Sequence, residues 1–275
     1  MLICRHSNAL GTGLSTANVK HINATLRAAL SQAHRWQLVH QNAAKLIALP
    51  RSVRYQPTIL SPAQAKVLLT FVRGQRYEAL FTVALTLGLR RGETLGLRWC
   101  DVDLEKGLLK VRHSLERVKG EGLRLTDPKC ERAKRELRIP QLCLMALLSH
   151  RETQNKERQW AGSKWQDSDF VCTTGLGTPM HPDDISRLFP TVLKAAKLPK
   201  IRVHDLRHSC ATLLLSLGVH AKLVQETLGH SSYQLTMDTY SYMIPALRNE
   251  VANRMNEVLS TTVNETVKTS GESVN

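Results

Sequence analysis

Apolar residues recur at helical spacing along most of this chain, and in two stretches the pattern changes to alternation. Val19, Ile22, Leu26, Leu30 and Ala33 follow a capping Ser15 at intervals of three or four, which predicts an amphipathic helix running to about Gln37. Its exposed face would carry Lys20, Arg27 and Arg35. A short second helix is expected at Ala43–Leu49, ending at Pro50. From Pro50 to Leu60 the run PRSVRYQPTIL has no periodicity and reads as a linker. Ser61-Pro62 restarts structure, as a cap followed by proline at the first helical position.

Helices are expected at 61–72 and at Tyr77–Leu87, the second stopping at Gly88. After Leu89-Arg90-Arg91-Gly92-Glu93, a further turn leads to Trp99. Residues 107–118, GLLKVRHSLERV, alternate as a strand does, and so does Lys134–Pro140. Residues 141–159 predict a helix with Leu142, Met145, Leu148 and Glu152 in register. A short strand at Asp169–Thr173 and a helix at Pro182–Lys197 follow. Leu206, Cys210, Leu213, Leu214 and Leu217 trace the inner face of one helix, which Gly218 stops. Val219–Leu228 is a second helix, with Gly229 behind it. Pro245 starts a last helix bearing Leu247, Val251, Met255 and Val258 on one side. Residues 260–275 have no periodicity and predict a disordered tail. The expected fold class is therefore mainly α with a small antiparallel β-sheet, an α+β chain with a boundary in the 51–60 linker.

Charge adds a partner to this picture. The 275 residues hold 38 Lys plus Arg against 23 Asp plus Glu, a formal net charge of +15. Such an excess fits a polyanion, and nucleic acid is the usual one, because neutralising phosphates releases counterions. The six cysteines are scattered with no CxxC pair, which reads as reduced thiols in a cytoplasmic protein. Neither a signal peptide nor an apolar run long enough for a membrane span is present in the sequence.

Candidate chemistry concentrates between His204 and Tyr240. His204 and Arg207 lie three apart near a helix N-terminus, where free N–H groups favour an anion. Arg207 offers a planar fork suited to phosphate, His204 can carry a proton near neutral pH, and Tyr240 has a hydroxyl able to attack. His204 and His208 are spaced for a helical zinc pair, but the glutamate of HExxH is missing, because position 205 is Asp. Walker A, GxGxxG and GxSxG motifs are also missing, which argues against nucleotide hydrolysis and serine hydrolysis.

Four boxes, in order, resemble those of the tyrosine recombinases, the phage integrase family. Gly88-Leu89-Arg90-Arg91-Gly92-Glu93 resembles the first arginine box, and Asp127-Pro128-Lys129 the β-hairpin lysine, with Arg135 and Pro140 beyond. His204-Asp205-Leu206-Arg207-His208 resembles the HxxR box. Leu228-Gly229-His230, then Asp238-Thr239-Tyr240, looks like the second histidine and the nucleophile segment. The resemblance implies a DNA strand-transfer site with no cofactor and no metal. It gives Arg90 and Arg207 as cations on the scissile phosphate and Tyr240 as nucleophile. His204 would be base or phosphate donor, His230 a further donor, and Lys129 the acid for the leaving hydroxyl. Glu93 would support Arg90 or His204. Arg91, Lys134, Tyr233 and Tyr242 are the rivals to Arg90, Lys129 and Tyr240.

The resemblance also implies the partners: double-stranded DNA, and a homotetramer on paired sites. It divides the chain into a partial helical core-binding domain (1–50), a linker (51–60), a catalytic domain (61–259) and the tail (260–275). Residues 15–50 look like the end of a clamp domain whose beginning is missing. The alternatives are a DNA-binding remnant that no longer recombines, and a type IB-like topoisomerase.

Overall fold

A computed structural model describes residues 14–50, 58–127 and 134–229. The chain divides into two units, Met1–Gln56 and Pro57–Asn275. In the first, helix α1 (Thr16–Arg35) starts where Ser15 accepts a hydrogen bond from the Asn18 N–H. Of the stripe read from the sequence, Val19 is buried and Leu30 and Ala33 are half-buried, while Ile22 and Leu26 stay exposed. The helix expected at Ala43–Leu49 is a single 3₁₀ turn, Ala43–Lys45. Asn42 secures that turn: its side chain accepts from the Ala44 N–H and donates to Arg27 O and Ser31 Oγ on α1, both at 2.8 Å.

The second unit is built around one helix that has no polar face. Helix α3 (Glu78–Thr86) buries every residue from Ala79 to Leu85, as a helix apolar all round must. Helix α2 (Pro62–Val72) packs beside it and begins with a reciprocal cap between Ser61 and Gln64. Helices α5 (Gln141–Ala161) and α7 (Val203–Ser216) cover two more sides of α3. Helix α6 (Pro182–Ala195) places Phe189 against Phe81, ring centroids 5.1 Å apart. The short helix α4 (Arg91–Leu95) lies between α3 and the sheet region, and α8 (Ala221–Leu228) packs on α7.

The sheet region differs from the single strand expected over 107–118. Arg112 and His113 interrupt it. Strand β2 (Leu108–Val111) is the middle of a three-stranded antiparallel sheet, between β1 (Val102–Asp103) and β5 (Arg135–Arg138). Strand β3 (Ser114–Val118) instead forms a separate hairpin with β4 (Gly122–Thr126). In β5 the register sets Leu137 opposite Leu109 and Arg135 opposite Val111, so Arg135 shares the inward face with Leu137.

Two further readings are corrected. On α5, Leu142, Met145 and Leu148 are exposed, while Cys143, Ala146, Leu147 and Gln154 face inward. Residues 142–148 are apolar on several sides, so the pattern did not choose a face. Gln154 chooses it, because Trp99 Nε1 donates to its amide oxygen at 2.6 Å and its amide nitrogen donates to Phe170 O and Thr173 Oγ1. The strand expected at Asp169–Thr173 reduces to isolated bridges, Arg98 to Phe170 and Thr173 to Pro179. The last helix read at 245–259 and the tail 260–275 lie outside the described residues.

Candidate active site

The site assembles around one buried carboxylate. Glu93 is the third residue of α4, and its Oε2 accepts the Arg90 backbone N–H at 2.9 Å, one of the free donors of a helix start. Oε1 accepts from Arg90 Nη1 at 2.6 Å. Arg135, entering from β5, forks onto both carboxylate oxygens at 3.3 and 2.9 Å. Arg207, on α7, brings Nη1 to 4.0 Å from Oε2. Burial works to raise the Glu93 pKa, but the charge and hydrogen bonds of Arg135, with those of Arg90, outweigh it and hold the carboxyl below its ordinary value.

Each guanidinium is also held by a backbone carbonyl. Arg207 Nη1 donates to Gly88 O at 2.8 Å, Arg90 Nη2 to Gly229 O at 3.1 Å, and Arg135 Nε to Thr227 O at 2.7 Å. Both glycines are required by geometry. Gly88 has φ of +62°, and a Cβ there would fall 2.4 Å from Leu228 Cδ2. Gly229 is the left-handed residue ending α8, at φ of +65°, and a Cβ there would fall 2.8 Å from Arg135 Nη1. Arg90 keeps 39% of its side chain exposed, whereas Arg207 and Arg135 are nearly enclosed. Arg90 is thus the cation of the cluster most open to an incoming anion.

Helix α7 begins with the same device as α4. Asp205, its third residue, accepts the Arg202 N–H at 2.8 Å and pairs with the Arg202 guanidinium at 3.1 and 2.8 Å. Burial opposes ionisation of Asp205, but these Arg202 bonds prevail and lower its pKa. His204 follows the first residue of α7 and stays accessible to solvent, its ring edge-on to His208 with centroids 5.1 Å apart. Partial loss of hydration, then the charges of His208 and Arg207, push its pKa down to about 4. The ring is therefore neutral at pH 7 and able to accept a proton or a hydrogen bond. Ser209, one helical turn on from Asp205, donates to Asp205 O and accepts the Leu60 N–H, tying α7 to the residue before the α2 cap.

Of the residues expected from the sequence, Arg90, Glu93, His204 and Arg207 lie on adjoining helix starts, and the first two join Arg207 around the carboxylate. The rival Arg91 turns away, donating to Ser186 Oγ at 2.6 Å on α6. Lys134 lines a groove with Lys110, Arg112, His113, Asp127 and Glu136 beside β5. Lys129, His230 and Tyr240, with the rivals Tyr233 and Tyr242, lie outside the described residues. Arg135 carried no assigned role in the sequence reading. Its signal was there, because an arginine two residues before an inward leucine on a strand must itself point inward.

Comparison with known proteins places the chain in a family. Residues 58–243 match the phage integrase family. The chain belongs to that family of tyrosine recombinases. It is 30% identical over 263 residues to a XerC-like tyrosine recombinase of Caldanaerobacter subterraneus subsp. tengcongensis, covering 90% of this chain and 67% of that protein. It is 27% identical to the ICEBs1 integrase of Bacillus subtilis, over 90% of this chain and 67% of the other. Among solved structures, the Tn1549 transposon integrase in complex with a circular intermediate DNA superposes with a TM-score of 0.71 at 25% identity, covering 83% of this chain and 76% of that one. The mainly helical fold with small antiparallel sheets is that of the recombinase catalytic domain. No helix among the described residues is long and apolar enough to cross a membrane.

Proposed function

We propose that this chain is a site-specific recombinase that cuts and rejoins double-stranded DNA through a 3′-phosphotyrosine on Tyr240. The Tyr240 oxygen attacks the scissile phosphorus, the bond to the 5′-oxygen breaks, and Lys129 gives that oxygen its proton. Rejoining runs the same step backwards with a 5′-hydroxyl of the partner strand, so no external energy is consumed. Arg90 and Arg207 take the charge that grows on the non-bridging oxygens, a task that needs cations fixed before the reaction. His230 donates to another of these oxygens, and neutral His204 accepts the tyrosine proton or bonds the phosphate. Glu93 orients Arg90.

The observation that carries this reading is the convergence on Glu93. Arg90 and Arg207 come from separate boxes of the sequence, yet one carboxylate gathers both, and Arg90 also binds the carbonyl of Gly229, the residue before His230. In this reading residues 1–50 contribute part of a DNA clamp, 51–60 link it, 61–259 hold the catalytic domain and 260–275 form a tail. The working form is a tetramer on two DNA sites in the bacterial cytoplasm. A nicked suicide duplex carrying the target site tests the chemistry. Covalent attachment of the chain, abolished in Tyr240→Phe, is the expected result; retardation of DNA with no adduct in the unaltered chain would leave only a DNA-binding role.

A further inference from the structure

Arg135 has no part in the reaction as written, yet it joins three elements of the site. It opens β5, its fork grips Glu93 on α4, and its Nε reaches the Thr227 carbonyl in the last turn of α8. Carbonyls of a last helical turn have no partner within the helix and carry the negative end of its dipole, so a buried guanidinium fits there. Its Nη1 also fills the space where any side chain at Gly229 would stand. An ion pair that only fastened β5 to α4 would end at Glu93. The third bond goes on to the turn from which Gly229 O holds Arg90 and after which His230 follows.

We infer that Arg135 is a positioning residue for strand transfer: it fixes the Gly229 turn against Glu93 and so sets where Arg90 stands at the scissile phosphate. This rests on the phosphotyrosine reading. Three acceptors in fixed directions need a planar fork of donors, which lysine does not have. The side chain is 7% exposed, so its effect passes through its neighbours rather than through the bulk of the DNA contact.

The test is single-turnover cleavage of the suicide duplex at saturating protein by the unaltered chain, Arg135→Lys, Arg135→Gln and Lys129→Ala. Each is run on the ordinary substrate and on one with sulfur at the bridging 5′ position, whose thiolate leaves without a proton donor. Both Arg135 variants are expected to bind DNA within about twofold of the unaltered chain. Each should lose about 100-fold in cleavage rate, the scale of a small misplacement of reacting groups. The loss should persist on the sulfur substrate, because the defect lies at the non-bridging oxygens, whereas sulfur should restore Lys129→Ala. Arg135→Lys keeps the buried charge and carries the test if Arg135→Gln does not fold. Cleavage by Arg135→Lys at the unaltered rate, a loss explained by DNA affinity alone, or rescue by sulfur would overturn the inference. An unaltered chain that forms no adduct would instead overturn the phosphotyrosine reading itself.

Discussion

Replacing Glu93 by glutamine keeps the shape of the cluster and removes its only described anion. The side chain is 3% exposed and accepts hydrogen bonds from Arg90 and Arg135, with Arg207 at 4.0 Å. A glutamine amide can still accept on one side, but its nitrogen presents donors to guanidinium donors. Three cations then stand together without the carboxylate charge that lay between them. Removing one partner of a buried ion pair costs about 3–5 kcal/mol, because the charge left behind stays desolvated. With a urea dependence of roughly 2–3 kcal/mol per molar for a domain of this size, Glu93→Gln should lower the unfolding midpoint by about 1–2 M at pH 7. The pH gives an internal check. The folded pKa of Glu93 lies below 4.5, so its contribution is complete above that value and is lost as the pH falls through the depressed folded pKa. The gap between the two proteins should therefore be widest at pH 6–7 and narrow toward pH 3. Urea titrations followed by far-ultraviolet circular dichroism at both ends of that range measure it. Midpoints at pH 7 within about 0.3 M, well under the loss worked from the ion pairs, would refute the claim that this carboxylate holds the arginines together.

Gly88→Ala adds a left-handed alanine and a Cβ 2.4 Å from Leu228 Cδ2, and thermal melts should show a loss of about 2–4 kcal/mol. Ser209→Ala strands the buried Leu60 N–H and should cost about 1–3 kcal/mol in the same measurement. His204 has a folded pKa of about 4 against an ordinary 6.5, so the stability it contributes is complete above 6.5 and is lost as the pH falls toward 4; ring proton shifts should titrate near 4, and His204→Asn should flatten that limb. DNA affinity should fall steeply between low and moderate salt in filter-binding assays, and a flat response would count against phosphate contacts.

The parts of the site legible in the sequence were those with local signatures. His204 and Arg207 share a helical face, so short-range spacing was enough to single them out, whereas Arg90 and Glu93 were singled out through the resemblance of their box. What escaped needed partners distant in the chain. The alternation of 107–118 was read correctly as extended backbone, but alternation cannot tell that β2 pairs with β5 while β3 turns to β4. On α5 a run apolar on several sides left the register open, and a buried glutamine with four partners decided it. Arg135 escaped because a charged residue on a strand is read as surface until its anion is known, and that anion lies 42 positions earlier.

The bond from Arg90 to Gly229 also fixes when the site comes into being. A ribosome adding roughly 5–20 residues per second needs about 7–28 s to travel the 139 positions between them. Throughout that interval the first arginine has been synthesised but the carbonyl that steers it has not. Thr227, which anchors Arg135, arrives just as late. A chain interrupted during synthesis, or clipped within α8, therefore retains its basic charge without the ordered arginine cluster. The cluster is completed in one step, as α8 emerges, so shorter chains carry Arg90 without the carbonyl that orients it.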